Sequence, residues 1–139
     1  MVFDFLHPKG LVCTMDQFEL FDKQLALWDL HISNEQKELL SRYYELLVEY
    51  NQCMNLTAII DWQDVCTKHF LDSAALLMKD VSLDLQNKTV IDIGTGAGFP
   101  GLVLKILKPD INLVLLDALT KRVRFLNTVI QELRLNISD

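Results

Sequence analysis

The spacing of apolar residues changes once along this 139-residue chain, near residue 88. Before that point they recur at steps of three and four, the period of one helix face. Phe18, Phe21, Leu25 and Trp28 follow this rule and predict a helix over residues 16–30. Ser33-Asn34-Glu35-Gln36 reads as a capping box, with Gln36 reaching back to the Ser33 backbone. The helix it starts carries Leu39, Leu40, Tyr43, Leu46, Leu47 and Tyr50 on one side and is expected to stop near Asn51. Asn55-Leu56-Thr57-Ala58-Ile59 has no helical spacing and reads as a linking segment. A third helix is predicted from Asp61 or Trp62 to about Met78, with His69 and Asp72 three apart and able to face each other. Pro8 and Gly10 argue for irregular structure over residues 1–15.

Beyond residue 88 the apolar residues bunch into short runs. Residues 89–93 and 112–116 predict strands, with a helix over about 102–108 between them that Pro109 stops. Thr120 is placed to cap a last helix holding Val123, Leu126, Val129, Ile130 and Leu133, and Leu135-Asn136-Ile137 reads as the start of a third strand. Strand–helix alternation predicts a parallel sheet buried on both faces. The fold class is therefore α/β, with N-terminal helices followed by the first half of a doubly wound, Rossmann-like sheet. Two strands and a stub leave an apolar edge open. The expectation is the N-terminal part of a longer protein, completed by roughly a hundred further residues; a trimmed or truncated chain is the competing explanation. Residues 1–15 read as an extension, 16–88 as a helical region and 89–139 as a partial cofactor-binding domain.

The join between the first strand and its helix carries the chemistry. Asp92-Ile93-Gly94-Thr95-Gly96-Ala97-Gly98-Phe99-Pro100-Gly101 is a strand end, a glycine-dense turn and a helix start, the form of a nucleotide-binding loop. Gly94 suits a sharp exit from the strand, Gly96 lets a ligand lie against bare backbone, and Gly98 is expected to let the helix pack close to the strand. A dinucleotide fingerprint starting at Gly94 would require glycine at 99, where Phe99 stands, which counts against a nicotinamide-dependent oxidoreductase. Asp117 closes the second apolar run, where an acid accepts hydrogen bonds from ribose hydroxyls in this class of fold.

Charge and composition narrow the choice. Half of the residues are hydrophobic, which excludes a disordered chain. The longest apolar run is too short for a bilayer, and the N-terminus lacks the basic start of a secretory signal. Cys13, Cys53 and Cys66 form no metal or disulfide spacing, and His7, His31 and His69 add none, so no metal is expected and the chain reads as reduced, soluble and cytoplasmic. Cys53 and Cys66 also lack a setting that would activate a thiolate for cytosine chemistry. Net charge is −6, split as −7 over residues 1–88 and +1 over 89–139, so there is no global basic footprint for nucleic acid. Lys121, Arg122 and Arg124 open the last helix, while Lys105 and Lys108 end the one before. Each is either a phosphate contact or part of a solvated face.

Four segments in order, Asn55-Leu56-Thr57-Ala58-Ile59, His69-Phe70-Leu71-Asp72-Ser73, Asp92 to Leu102 and Leu115 to Arg122, resemble the bacterial ribosomal RNA small subunit methyltransferase G family, also called glucose-inhibited division protein B. The resemblance implies a class I S-adenosylmethionine-dependent methyltransferase fold. It implies methyl transfer to N7 of guanine-527 in 16S ribosomal RNA, with that RNA or the small ribosomal subunit as partner and neither DNA nor membrane. The matching cofactor positions are Gly94, Thr95, Gly96, Gly98, Phe99 and Asp117; Arg122, Lys121 and His69 are the RNA-binding candidates. His69 has a second reading, as a partly buried helix histidine bonded to Asp72 or to backbone. Val103 and Ala118 depart from the family's usual proline and serine, and its Ala-Glu pair and downstream arginine would lie beyond Asp139. No catalytic acid or base is assigned. Three other readings remain: a methyltransferase for a protein or small molecule, a nicotinamide enzyme, and a truncated chain with no catalytic role.

Overall fold

Ser33 starts the longest element. Its hydroxyl accepts from the Gln36 N–H at 3.1 Å, and Gln36 Oε1 accepts from the Ser33 N–H at 2.8 Å, so the capping box forms reciprocally. In this computed structural model, which describes residues 15–79 and 83–137, the helix α2 spans Asn34–Met54. It passes the expected stop at Asn51 and ends where Asn55 turns left-handed, at φ 49°. Asn51 instead directs its side-chain oxygen to the Thr57 N–H, at 2.9 Å.

Before α2, a 3-10 turn Met15–Phe18 leads into α1, Glu19–Leu27. Phe18 sits edge-on to Trp62, with ring centroids 5.0 Å apart. The third predicted helix is a composite. Asp61 caps it by accepting from the N–H groups of Gln63 and Asp64. It then runs through α3 (Trp62–Val65), a π-helical stretch Cys66–Leu71, α4 (Asp72–Ala74) and a closing 3-10 turn Ala75–Leu77. Side-chain periodicity does not distinguish such a widened turn from an α-helix. The expectations that involve Pro8, Gly10, Cys13 and His7 fall outside the described residues, as does part of the loop before the first strand.

The strands form where expected. Strand β1, Thr89–Ile93, pairs in parallel with β2, Asn112–Leu116, with Thr89 opposite Asn112 and Ile93 opposite Leu116. Helix α5, Gly101–Leu107, connects them, and α6, Thr120–Glu132, follows β2. The long helix α2 packs against both α5 and α6. One hydrophobic cluster runs from Phe18 and Phe21 through Tyr43, Phe70 and Leu102 to Leu113, Phe125 and Val129.

Two expectations are corrected here. Thr120 does not cap α6, because it already lies inside the helix and Leu119, which has no side-chain acceptor, holds the cap position. Leu135 to Ile137 form no strand. Arg134 takes a left-handed φ of 51°, and the Leu135 N–H turns back to the Ile130 carbonyl at 3.0 Å, closing α6 with a Schellman-type bond.

Candidate functional site

At the end of β1 the chain turns over the end of β2. The N–H groups of Gly94 and Thr95 both donate to the Leu116 carbonyl, at 2.7 and 3.1 Å. Gly94 and Gly96 adopt φ of 73° and 60°, conformations that carry a penalty for any residue with a Cβ. A Cβ built on either would meet nothing within 4 Å, so the backbone borders open space there.

The remaining loop residues turn inward. Asp92 Oδ2 accepts from the Thr95 hydroxyl at 2.6 Å and from the Gly101 N–H at 2.9 Å. The motif's acid is thus a brace between the two ends of the loop. The Thr95 side chain is buried and committed to it. Close helix–strand packing, expected at Gly98, falls instead at Gly101. A Cβ there would lie 2.6 Å from Leu115 Cδ2 and 2.8 Å from Asp92 Oδ2. At Gly98, with φ 103°, a Cβ would collide with the Tyr43 hydroxyl and with Leu102 Cδ1. In the sequence Gly101 stands only as the close of the loop motif, and Tyr43 was legible only as a core residue.

Asp117 reaches back from the end of β2. Its Oδ2 accepts from the Gly96 N–H and its Oδ1 from the Leu119 N–H, both at 2.9 Å, and Arg122 Nη1 lies 3.5 Å from Oδ2. The Leu119 N–H foremost, then the Gly96 N–H and Arg122, hold the carboxyl below its ordinary range against the opposing effect of burial. The Asp117 side chain is 3% exposed.

Phe99 faces the N-terminal helices, and its peptide bond to Pro100 is cis. The His69 imidazole stacks on its ring, with centroids 4.3 Å apart and planes 5° from parallel, and Tyr43 stacks at 5.3 Å. His69 Nε2 lies 3.2 Å from Thr57 Oγ1, so its described hydrogen bond joins it to the linking segment; Asp72 acts on it as a nearby charge. Burial lowers the His69 pKa from 6.5, outweighing the pull of Asp72, and keeps the ring neutral at pH 7. A cleft of about 470 Å³ opens beside this pair, lined by Lys68, His69, Asp72, Leu76, Phe99 and Pro100. A larger one, about 670 Å³, lies around Arg42, Glu45 and Glu132 between α2 and the end of α6.

The basic candidates separate. Lys121 Nζ donates to the Met54 carbonyl at 2.9 Å, tying the start of α6 to the end of α2. Arg122 borders Asp117, and its Nε is buried without a described partner. Lys105 is neither solvated nor open to phosphate: it is buried and donates to the carbonyls of Pro109 and Ile111, both at 2.7 Å. Among the described residues no cluster of three or more His, Cys, Asp or Glu side chains is arranged to hold a metal ion, and no helix is long and apolar enough to cross a membrane.

A parallel β–α–β unit, with a glycine loop at its strand ends and a second-strand acid bonded to that loop, defines a Rossmann-like α/β protein of the kind that binds nucleotide-containing cofactors. The comparisons with known proteins agree. The family model for rRNA small subunit methyltransferase G, GidB, matches residues 36–138, and the chain belongs to that family. Proteins named ribosomal RNA small subunit methyltransferase G are similar to it from Streptococcus pneumoniae (48% identical over 120 residues, 85% of this chain and 49% of the relative). Others come from Lachnoclostridium phytofermentans (49% over 119 residues, 85% and 48%) and Clostridium kluyveri (42% over 126 residues, 88% and 51%). The chain therefore spans about half the length of these curated relatives.

Proposed function

We propose that this chain contributes the S-adenosylmethionine-binding half of an enzyme that methylates N7 of a guanine, guanine-527, in 16S ribosomal RNA. The observation that carries this reading is the open space at Gly94 and Gly96 beside the Asp117-anchored loop, in a chain of this family. The residues present fit the cofactor. The two glycines leave the loop backbone free for close approach, and Asp117 is charged at neutral pH and retains lone pairs for ribose hydroxyls. The buried state of that carboxylate sets a condition: Arg122 draws back from Asp117 when a ribose is bound.

S-adenosylmethionine, when bound, supplies an electrophilic methyl group on a sulfonium. Guanine N7 presents a lone pair and no proton, so the reaction needs alignment and electrostatics rather than a general base. That agrees with the loop region, where the described acids brace backbone. His69, neutral and stacked on Phe99, offers a flat face and a hydrogen-bonding nitrogen for RNA. Arg122, beside Asp117, and Lys121, its chain neighbour at the start of α6, are the cations offered to RNA at this end of the fold.

A two-dimensional amide NMR spectrum, titrated in parallel with S-adenosylhomocysteine and NAD, tests the cofactor. Shifts at Gly94, Gly96, Gly98 and Asp117 are expected with the first and none with the second. Preference for NAD would replace this reading with an oxidoreductase, and silence to both would leave this half without a cofactor of its own. Labelled methyl transfer tests the substrate: 7-methylguanine in small-subunit RNA is expected, and label in protein or small molecules instead would overturn it.

A further inference from the structure

We propose that Tyr43 is a positioning residue for the glycine loop, fixing from helix α2 the loop shape on which the cofactor site depends. The choice of ligand rests on the function proposed above, whereas the loop's dependence on Tyr43 does not.

Tyr43 is fully buried, and its own sequence neighbours give no hint of a partner in the Asp92-to-Gly101 motif. Its ring lies against two others, Phe70 at 5.9 Å and Phe99 at 5.3 Å, at interplanar angles of 30° and 29°. A phenylalanine would serve that stack equally well. What distinguishes tyrosine is the hydroxyl, which donates to the Ala97 carbonyl in the middle of the loop. Burial pushes the phenol well above its ordinary pKa, so it is protonated and able to donate at neutral pH.

The Ala97 carbonyl and the Gly98 N–H belong to one rigid peptide plane and point in opposite directions. Holding the carbonyl therefore aims the N–H, which donates to the Thr95 carbonyl at 2.9 Å; the Phe99 N–H reaches the same carbonyl at 3.2 Å. The hydroxyl also helps to explain Gly98. A Cβ there would run into this oxygen and equally into Leu102 Cδ1, and the backbone is left-handed at φ 103°. Tyrosine at 43 and glycine at 98 thus form a matched pair across two elements. Thr57, His69 and Phe99 extend the stack to the linking segment after α2.

Amide hydrogen exchange on the whole chain tests this, with Tyr43→Phe as the conservative variant that keeps the stack. Exchange at Gly98 and Phe99 is expected to rise about tenfold, the scale of one hydrogen bond. Amides of Leu46, Leu47, Ile91 and Val114 are expected to change less than twofold. Gly98→Ala should disturb the loop less when combined with Tyr43→Phe than in the parent chain, because the oxygen is gone and only the flexible end of Leu102 remains to be displaced. Unchanged loop amides would overturn the proposal, and so would a uniform rise at every site, the mark of a purely structural role. Loosened loop amides in a chain that ignores S-adenosylhomocysteine would uphold Tyr43's role and sink the cofactor assignment alone.

Discussion

The two faces of the β1–β2 sheet are written in the same kinds of residue and sit in opposite surroundings. On one, Val90, Asp92, Leu113 and Leu115 lie under α5, and Leu113 is fully buried. On the other, Ile91 and Ile93 are 56% and 79% exposed, and Leu116 beside them is about half exposed. Alternation along each strand separates the sets but does not tell which is covered, since parallel sheets are ordinarily apolar on both faces. Coverage depends on which helices pack on the sheet. In this chain α5 packs on one side of both strands, and the chain spans about half of its relatives' length. An apolar face left open in this way adds little to the stability of the described residues.

Substitutions that separate the faces should show this. Leu113→Ala removes a fully buried side chain and is expected to cost about 3 kcal/mol in urea unfolding. Gly101→Ala forces a methyl against Leu115 and the Asp92 brace, with an expected cost of about 2 kcal/mol. A loss below about 0.5 kcal/mol at either position would contradict the packing described.

The pH dependence of His69 sharpens the comparison at the rim of the covered side. Its folded pKa is lowered from 6.5, so the unfolded chain binds the proton first as pH falls. Its contribution to stability is complete above about pH 6.5 and is lost as pH falls through the folded value. An imidazole NMR titration should give a midpoint below 6.5; a midpoint above that value would mean that Asp72, not burial, governs the ring. The smallest effect is expected on the open face: Ile93→Ser should change stability by less than about 0.5 kcal/mol, and sedimentation should show equal or weaker self-association.

Much of this was legible in the sequence where a local rule decides the outcome. The bounds of β1 and β2, the Ser33–Gln36 capping box and the start of the third helix at Asp61 or Trp62 follow from residue types within a few positions of one another. Features set across the fold were not legible. Thr120 looked like a cap, yet the geometry of the turn after Asp117 moved the helix start to include it. Leu135 to Ile137 had strand composition, but closure of α6 claimed their backbone first. Glycine spacing placed the open loop at Gly94 and Gly96. The meaning of Gly98 and Gly101 depends on what stands opposite each, Tyr43 with Leu102 for one and Leu115 with Asp92 for the other.

Lys105 has a practical consequence. Its amine is tucked between two carbonyls beneath the α5–β2 turn, whereas most of the other described lysines reach water. An amine-reactive reagent should therefore label those lysines rapidly and Lys105 only when this turn opens. Peptide mass spectrometry of that one residue then becomes a clock for local unfolding, built into the protein without any added probe.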